Sequence, residues 1–249
     1  MRAPNEIRSI YARFDDFPME TLTKAWFAKH HGKRQRTIDE MKEHRKQYGI
    51  AGNCFDLAYW LIHEFLETGI RAYAVGHALN TEDAHVAVVA HDSQNKRYLC
   101  DLGDQWLQPI CIDEEVTHPV YGFFPAAGIT VQPSNHEVTI QYHRPNRKIS
   151  QQTYEIEPVD MTAFLKAANH CQGVIDPKPL LEVRIPYKDE TAHWEFYNWE
   201  SFLSTSEGKT YDSPVISVED WADRIHLKTG YNRDFLVEAL SIYKDGIQN

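Results

Sequence analysis

The sequence predicts an α+β fold, in which helices come first, strands follow and a mixed segment ends the chain. Apolar residues recur at helical spacing up to about residue 67, and short β-branched and aromatic runs dominate from residue 70 to about residue 185. The C-terminal part then combines an aromatic strand with two capped helices. Helices and strands that segregate along the chain in this way are typical of the α+β class.

The best-defined element is a helix that begins at Cys54. Apolar residues recur at helical spacing from there to about Glu67, Asn53 is a favourable N-cap, and Gly69 is part of a favourable stop. Cys54 therefore falls in the first helical turn. Free backbone N–H groups and the positive end of the helix dipole favour a thiolate at that position, so we predict Cys54 as a nucleophile.

A strand over residues 84–90 supplies the best candidate base. It is a β-branched run that contains His85, and after a polar turn a second strand over residues 98–102 contains Asp101. If the turn of this hairpin is centred near Ser93, His85 and Asp101 lie opposite each other on one face, with Cβ atoms roughly 5 Å apart. A register shift of one residue would place them on opposite faces.

These elements supply a thiol, an imidazole and a carboxylate in the order Cys54, His85, Asp101. The carboxylate would hold the imidazole tautomer and stabilise its cation, and the imidazole would keep the thiol ionised. A lone cysteine at a helix start is more often inert than catalytic, so the hypothesis depends on this pairing. Three other candidate imidazoles are expected to face solvent or to lie in a loop: His77, His91 and His118.

The remaining elements follow from the same two periodicities. Further helices are predicted over residues 7–14, 21–30, 37–48, 158–168, 217–227 and 232–244. Further strands are predicted over residues 70–76, 138–143, 152–156, 181–185 and 192–199. No internal repeat or flexible linker divides the chain, which favours one compact unit.

Composition and charge argue against several classes of protein. A chain of 249 residues with 42% hydrophobic residues can bury a proper core, and a formal net charge of -10 argues against general binding to a nucleic-acid backbone. Only the basic runs around Arg34 and over residues 146–148 could attract anions locally. No apolar stretch approaches the roughly 20 residues of a membrane helix, and the first residues lack the apolar core of a signal peptide, so a cytoplasmic protein is expected.

The four cysteines predict neither a metal site nor a disulfide framework. They stand at positions 54, 100, 111 and 171, without the short paired spacing of zinc ligands, and reduced thiols are the simpler interpretation. Cys100 and Cys111 lie in apolar runs and are expected to pack in the core.

The candidate site resembles the motifs of the arylamine N-acetyltransferases, which carry patterns like R-G-G-x-C-F-E, H-x-x-x-x-V and D-V-G-F-G. The corresponding segments of this chain are Gly52-Asn53-Cys54-Phe55-Asp56, His85-Val86-Ala87-Val88-Val89 and Asp101-Leu102-Gly103. Their order and rough spacing match, and a weaker resemblance extends over most of the chain. The resemblance places the family's catalytic triad on Cys54, His85 and Asp101.

The resemblance also implies an architecture around a cysteine-proteinase-like core. A helical part over residues 1–69 would bear Cys54, a central antiparallel β-barrel over residues 70–190 would bear His85 and Asp101, and an α/β lid would cover residues 191–249. The implied reaction moves an acetyl or other acyl group from acetyl-coenzyme A to a small amine, through a thioester on the cysteine. The N–H of Cys54 or Phe55 would meet the oxyanion.

Several departures from the family pattern concern the neighbours of the triad. Ile50-Ala51 replaces the family's Arg-Gly, Asp56 replaces its glutamate, and Asp104 replaces a phenylalanine that lies by the family's acceptor pocket; the family's Pro-Phe-Glu-Asn stretch has no counterpart. If the carboxylate of Asp104 lines that pocket, it would disfavour a neutral apolar arylamine and favour a cationic amine. Otherwise it points to solvent. Phe123 and Phe124 are further acceptor-pocket candidates.

Two other functions are open at this point. The same triad on a transglutaminase-like or papain-like scaffold serves hydrolases and amide-forming enzymes, in which a peptide or a carrier-bound acyl group replaces acetyl-coenzyme A. Such a hydrolase would turn over its substrate without an amine acceptor. The third possibility is a catalytically silent binding protein of the same fold, which an unreactive Cys54 in a well-formed pocket would indicate.

Overall fold

The computed structural model of the chain describes residues 2–79, 81 and 83–246. Over these residues it contains seven α-helices: α1 (Asn5–Tyr11), α2 (Leu22–His31), α3 (Ile38–Tyr48), α4 (Cys54–Glu67), α5 (Met161–Gly173), α6 (Val218–Thr229) and α7 (Arg233–Lys244). A short 3₁₀-helix, Ala12–Phe14, continues α1. Each helix overlaps a predicted one, and α4 has the predicted bounds.

The described residues also form thirteen strands. They are β1 (Met19–Glu20), β2 (Ala72–His77), β3 (His85–His91), β4 (Arg97–Cys100), β5 (Ile110–Cys111), β6 (Val116–Phe124), β7 (Ala127–Pro133), β8 (Glu137–His143), β9 (Ile149–Glu155), β10 (Leu180–Tyr187), β11 (Glu190–Tyr197), β12 (Glu200–Thr205) and β13 (Gly208–Tyr211).

These strands form three antiparallel sheets. The first sheet has the order β2-β3-β4-β5, the second β6-β7-β8-β9, and the third β1-β10-β11-β12-β13. Hairpin neighbours dominate the pairings, and most helices precede or follow the run of strands, with α5 alone inserted between β9 and β10 among the described residues, so the predicted α+β class is confirmed. β1 is the exception to local pairing, because it joins the N-terminal helices to the C-terminal sheet through Met19 opposite Glu182.

The central strands form two four-stranded sheets, and the pairings of the described residues show no closed barrel. β2 of the first sheet packs near β9 of the second, and a single bridge joins Ala74 to Val159. The division of the chain after residues 69 and 190 stays a prediction. The second of these boundaries falls within the sheet that contains β10 and β11.

The first sheet is buried on both faces. On β3, Val86, Val88 and Ala90 belong to the core that packs on the helices. The alternate residues Ala87 and Val89 belong to a second core, against the second sheet. This double burial explains why β3 is a continuous apolar run, and it places the end of the strand that carries His85 between α4 and the second sheet.

The second sheet contains two strands that the sequence pattern did not predict, β6 and β7. β6 includes Pro119 and Gly122, and its pairing with β7 shifts register twice along its length. Proline and glycine are unfavourable inside strands, and each shift breaks the strict alternation of apolar and polar residues. The periodicity on which a strand prediction depends is therefore lost in β6.

A buried polar network holds the start of α4. Arg36 Nη2 lies 3.0 Å from Asp56 Oδ2, with both side chains 2% exposed, and Arg36 also donates to the Ala51 carbonyl. Gln35 Nε2 donates to Asp56 Oδ1 at 2.6 Å. Gln172 on α5 completes the network, because it donates to Gln35 and accepts from the Asn53 amide. In the basic run around Arg34, the side chain of Arg36 is therefore buried and is not available to bind anions.

We predict that Arg36→Met lowers the free energy of unfolding by about 3 kcal/mol or more, because it leaves the Asp56 carboxylate buried without its cation. Arg34→Met is the matched control two residues away. Arg34 pairs with Glu40 in a bridge whose side chains are 44% and 28% exposed, and such pairs contribute about 1 kcal/mol or less. Urea denaturation measures both values, and equal losses would contradict the assignment.

Candidate active site

Cys54 is the first residue of α4. The Asn53 side chain accepts from the Phe55 N–H at 3.0 Å and from the Asp56 N–H at 3.2 Å, and Asp56 accepts from the Asn53 N–H in return. This reciprocal cap is the predicted N-terminus, with Asp56 in the role of the usual glutamate. It fixes the thiol at the positive end of the helix dipole.

His85 and Asp101 meet on one face of the β3–β4 hairpin. Val88 lies opposite Cys100 and His91 opposite Arg97, so the turn is centred on residue 94, one residue after the predicted Ser93. The two residues are therefore diagonal neighbours and not direct partners. An offset of two residues keeps both side chains on the same face, and His85 Nε2 lies 2.7 Å from Asp101 Oδ2.

Gly103 is the point at which the three side chains converge. A Cβ atom built on Gly103 would lie 2.8 Å from the Cβ of Cys54, 3.0 Å from Cε1 of His85 and 3.2 Å from Oδ1 of Asp101. The thiol, the imidazole and the carboxylate predicted from the sequence thus surround one glycine. Because Nε2 of His85 is bonded to Asp101, Nδ1 is the nitrogen left for the thiol.

The charges of this cluster stabilise one another. Burial by itself would lower the pKa of His85, but the charge of Asp101 and hydrogen bonds with Asp101 and Cys54 raise that pKa well above its usual value. Burial by itself would raise the pKa of Asp101. The charge of the His85 cation and the hydrogen bonds from His85, Asp104 and Tyr154 lower that pKa instead. The cluster therefore places an imidazolium, held by a buried carboxylate, beside the Cys54 thiol.

The Asp101 carboxylate is fully buried and depends on residues distant in sequence. The Tyr154 hydroxyl donates to its Oδ2 at 2.7 Å, and the Asp104 N–H donates to its Oδ1 at 2.9 Å. The Tyr11 hydroxyl donates to the carbonyl groups of Asp101 and Trp106 at 3.0 and 2.9 Å. The sequence carried no local signal for Tyr11 or Tyr154, which stand 90 and 53 residues from Asp101.

Cys54 lines a cavity of about 580 Å³. Its walls come from the β1–α2 region, from the connection over residues 173–177 between α5 and β10, and from Tyr243 of α7. Lys24 and Cys171 also line this cavity, with Lys24 Nζ 3.7 Å from Cys171 Sγ. The volume is in the range of small-molecule sites in proteins, and the thiol lies on its wall.

The three acceptor-pocket candidates do not line the cavity of Cys54. Asp104 and Phe124 line a second cavity, of about 430 Å³, and Phe123 is buried in the core. The Asp104 carboxylate accepts from the Tyr142 hydroxyl and, at 3.0 Å, from Trp106 Nε1. Burial and the neighbouring Asp101 raise the pKa of Asp104 to about 6. The side chain therefore neither faces the cavity of Cys54 nor points freely to solvent.

The other candidate imidazoles lie outside the cluster. His118 is exposed on β6 instead of in a loop, and His91 is buried and contacts Arg71 and Asn95, although it was expected to face solvent. His77 is half-buried beside His85, with ring centroids 5.9 Å apart. Burial and the His85 charge lower the pKa of His77, which makes it a poor cation beside the thiol.

All four thiols are free. Burial raises the pKa of Cys100 well above its usual value, raises that of Cys111, and raises that of Cys171 to about 11. Among the described residues, no group of three or more His, Cys, Asp or Glu side chains is placed to hold a metal ion. In the same part of the chain, no helix has both the length and the apolar character needed to cross a membrane.

We predict that iodoacetamide alkylates Cys54 before the other three cysteines, whose raised pKa values keep them as thiols. Asp101→Asn should lower the pKa of His85, so that the imidazolium that favours the thiolate is lost at lower pH and alkylation of Cys54 at neutral pH slows. Because the folded pKa of His85 is raised, its stabilising charge is complete below about pH 6.5 and is lost as the pH rises through the folded value.

Peptide mass spectrometry after timed labelling between about pH 5 and pH 9 measures these rates for each cysteine. Equal labelling of all four cysteines, or an unchanged pH profile in the Asp101→Asn variant, would contradict the assigned pairing.

We also predict that Gly103→Ala slows the labelling of Cys54 by about 10²-fold, because the methyl group must displace the thiol, the imidazole or the carboxylate, and displacements near 1 Å have effects of that size. Circular dichroism verifies that the variant keeps its fold. A folded variant that labels at the normal rate would show that the three side chains do not act together.

No model of a protein family matches the sequence, and no curated protein matches it. Solved structures do match. An arylamine N-acetyltransferase from Bacillus cereus, described as having a unique Cys-His-Glu catalytic triad, superposes with a TM-score of 0.66 at 17% identity, over 93% of this chain and 92% of that one.

Two further arylamine N-acetyltransferases are similar over nearly the whole chain. The enzyme from Salmonella typhimurium superposes with a TM-score of 0.70 at 11% identity, over 97% of this chain and 92% of that one. The enzyme from Mycobacterium marinum, in complex with coenzyme A, gives 0.71 at 10% identity, over 95% and 92%. The chain therefore has the fold of the arylamine N-acetyltransferases.

Proposed function

We propose that this protein is a thiol-dependent acyltransferase that moves an acetyl group from acetyl-coenzyme A to an amine through a thioester on Cys54. The observation that carries the proposal is the convergence of Cys54, His85 and Asp101 around Gly103. The shared fold adds support, since a structural neighbour described with coenzyme A and another described with a Cys-His-Glu triad have the same architecture.

In the first half of the reaction, the Cys54 thiolate adds to the thioester carbonyl. A negative charge forms on the carbonyl oxygen. We assign the Cys54 N–H as the hydrogen-bond donor to this oxygen, because the Phe55 N–H already donates to the Asn53 side chain. Collapse of this intermediate breaks the bond to the coenzyme A sulfur, which leaves as a thiol with the proton that His85 supplies.

In the second half, the amine adds to the carbonyl of the Cys54 thioester. His85 accepts the proton that the nitrogen loses, and the Cys54 thiolate leaves as the amide forms. Asp101 keeps the imidazole oriented and stabilises its cation in both halves, through the 2.7 Å bond from Nε2.

The cavity of Cys54 is the proposed entrance for both substrates. Lys24 contributes a positive charge and Asp176 a negative charge to its walls, so an anionic donor such as coenzyme A would place its phosphates beside Lys24. Because Asp104, Phe123 and Phe124 do not line this cavity, we assign the acceptor preference to its own walls, formed by residues 173–177 and Tyr243. This replaces the interpretation in which Asp104 selects the amine.

The test is the intact mass of the protein after it is mixed with acetyl-coenzyme A. One acetyl adduct is expected on the natural chain and none on Cys54→Ser, whose hydroxyl stays protonated where a thiol ionises; turnover should fall by roughly 10³-fold or more. Cys171→Ser is the matched control, because Cys171 lines the same cavity and should leave the adduct intact.

Addition of an aniline-type amine or an aliphatic diamine should then remove the adduct. An adduct that forms equally on Cys54→Ser would contradict the mechanism. An adduct lost in buffer as fast as in the presence of amine would identify a hydrolase. A natural chain that forms no adduct with acetyl-coenzyme A would contradict this donor.

A further inference from the structure

The second cavity, of about 430 Å³, is separate from the one that Cys54 lines. It lies between the loop that joins β8 to β9 and the strands β10 to β13. Carboxylates of Asp104, Glu182 and Glu195 line it together with His193, and we call this group the acidic floor. Cationic side chains of Arg144, Lys148 and Lys209 line it as well, and we call them the basic rim.

Two members of the acidic floor face each other without a cation between them. Glu182 and Glu195 are direct register partners on β10 and β11, a position at which like charges destabilise a sheet. Burial and the neighbouring Glu195 raise the pKa of Glu182 well above its usual range, and burial raises that of Glu195. A bound ammonium group would stabilise the ionised form of both carboxylates.

His193 supplies independent evidence of a missing partner. Its side chain is 8% exposed, and its Nε2 is buried, makes no hydrogen bond and lies 3.9 Å from Glu182 Oε2. Buried polar groups without a partner are rare in folded proteins, because each one destabilises the fold. Burial and the cations Arg144, Arg184 and Lys209 lower the pKa of His193 to about 4, so the ring is neutral and can donate to or accept from a ligand.

The basic rim is also unpaired. Among the described residues, no ion pair involves Arg144, Lys148 or Lys209. Arg144 lies over the Phe124 ring, with 5.6 Å from Cζ to the centroid, and Lys209 lies over the Phe202 ring at 3.1 Å. Arg144 and Lys209 act on the charge of Glu195 without forming an ion pair with it. Arg144 and Lys148 come from the loop that faces the sheet, whereas Lys209 stands on β13 of the sheet that carries Glu182 and Glu195.

We propose that this cavity binds a small zwitterion of the aliphatic amino-acid type, with its ammonium group between Glu182 and Glu195 and its carboxylate against Arg144 and Lys209. A dication would meet the basic rim, and a dianion would meet the acidic floor, so a molecule with one charge of each sign matches both groups of side chains. The rings of Phe124 and Phe202 also line the cavity and suit an aliphatic chain. Because Cys54 does not line this cavity, binding there can be measured without acyl transfer.

Calorimetric titration of the full chain with three ligands of matched length tests the proposal: 5-aminopentanoate, cadaverine and glutarate. The zwitterion should bind at least about tenfold more tightly than the diamine or the diacid. The double variant Glu182→Gln with Glu195→Gln should weaken it at least about tenfold, and so should Lys209→Met. Lys188→Met is the control, because this lysine stands in the turn between β10 and β11, outside the cavity, and pairs with Glu207.

Thermal unfolding verifies that the variants are folded; the exposed Lys209 is replaced without disturbing the core. Tighter binding of cadaverine would replace the proposal with a cation site, and tighter binding of glutarate with an anion site. No binding of 5-aminopentanoate over its soluble range, or equal affinity in the folded variants, would overturn it. None of these outcomes depends on the reactivity of Cys54.

Discussion

The candidate site depends on the burial of one carboxylate, that of Asp101. A carboxylate removed from water must be paired and hydrogen-bonded, and here three donors meet it: the His85 imidazole, the Tyr154 hydroxyl and the Asp104 N–H. Those donors belong to β3, to β9 and to the loop after β4. The packing of the first sheet against the second therefore fixes the imidazole beside the thiol. Asp101 depends on this packing, because its donors come from both sheets.

Hydrogen bonds with three other parts of the chain hold the turn before Cys54. The Glu20 N–H donates to the Gly52 carbonyl at 2.9 Å, the Ala51 N–H donates to the Tyr231 hydroxyl at 2.8 Å, and Arg36 donates to the Ala51 carbonyl. Gly52 has a φ of +138°, and a Cβ atom there would overlap Arg36 and Asp56. The arginine that the family carries beside its nucleophile is missing, and a guanidinium from another segment reaches the same turn.

Charge in this acidic protein is divided between two cavities. The Cys54 cavity is lined by the thiol, one lysine and one aspartate, whereas the second cavity combines three carboxylates and a neutral histidine with three cations. Asp104 stands between the two sites, because its N–H supports Asp101 while its carboxylate lines the second cavity. Asp104 thus supports the Asp101 carboxylate through its backbone N–H, while its side chain lies in the second cavity.

The sequence by itself determined the features that depend on a few consecutive residues. The cap of α4 is made by Asn53 and Asp56, and the length of that helix follows from its apolar spacing, so both were predictable. The pairing of His85 with Asp101 on one face was predictable in the same way, since an error of one residue in the centre of the turn shifts the register by two residues and keeps both side chains on one face.

Only the tertiary structure decided the features that depend on distant contacts. The bonds from Tyr11 and Tyr154 to Asp101 join residues 90 and 53 positions apart. Two sheets instead of a barrel, the inward turn of Arg36 and the placement of Asp104 outside the cavity of Cys54 are likewise results of how the elements pack. Periodicity records which face of an element is buried, but it carries no information about which other element covers that face.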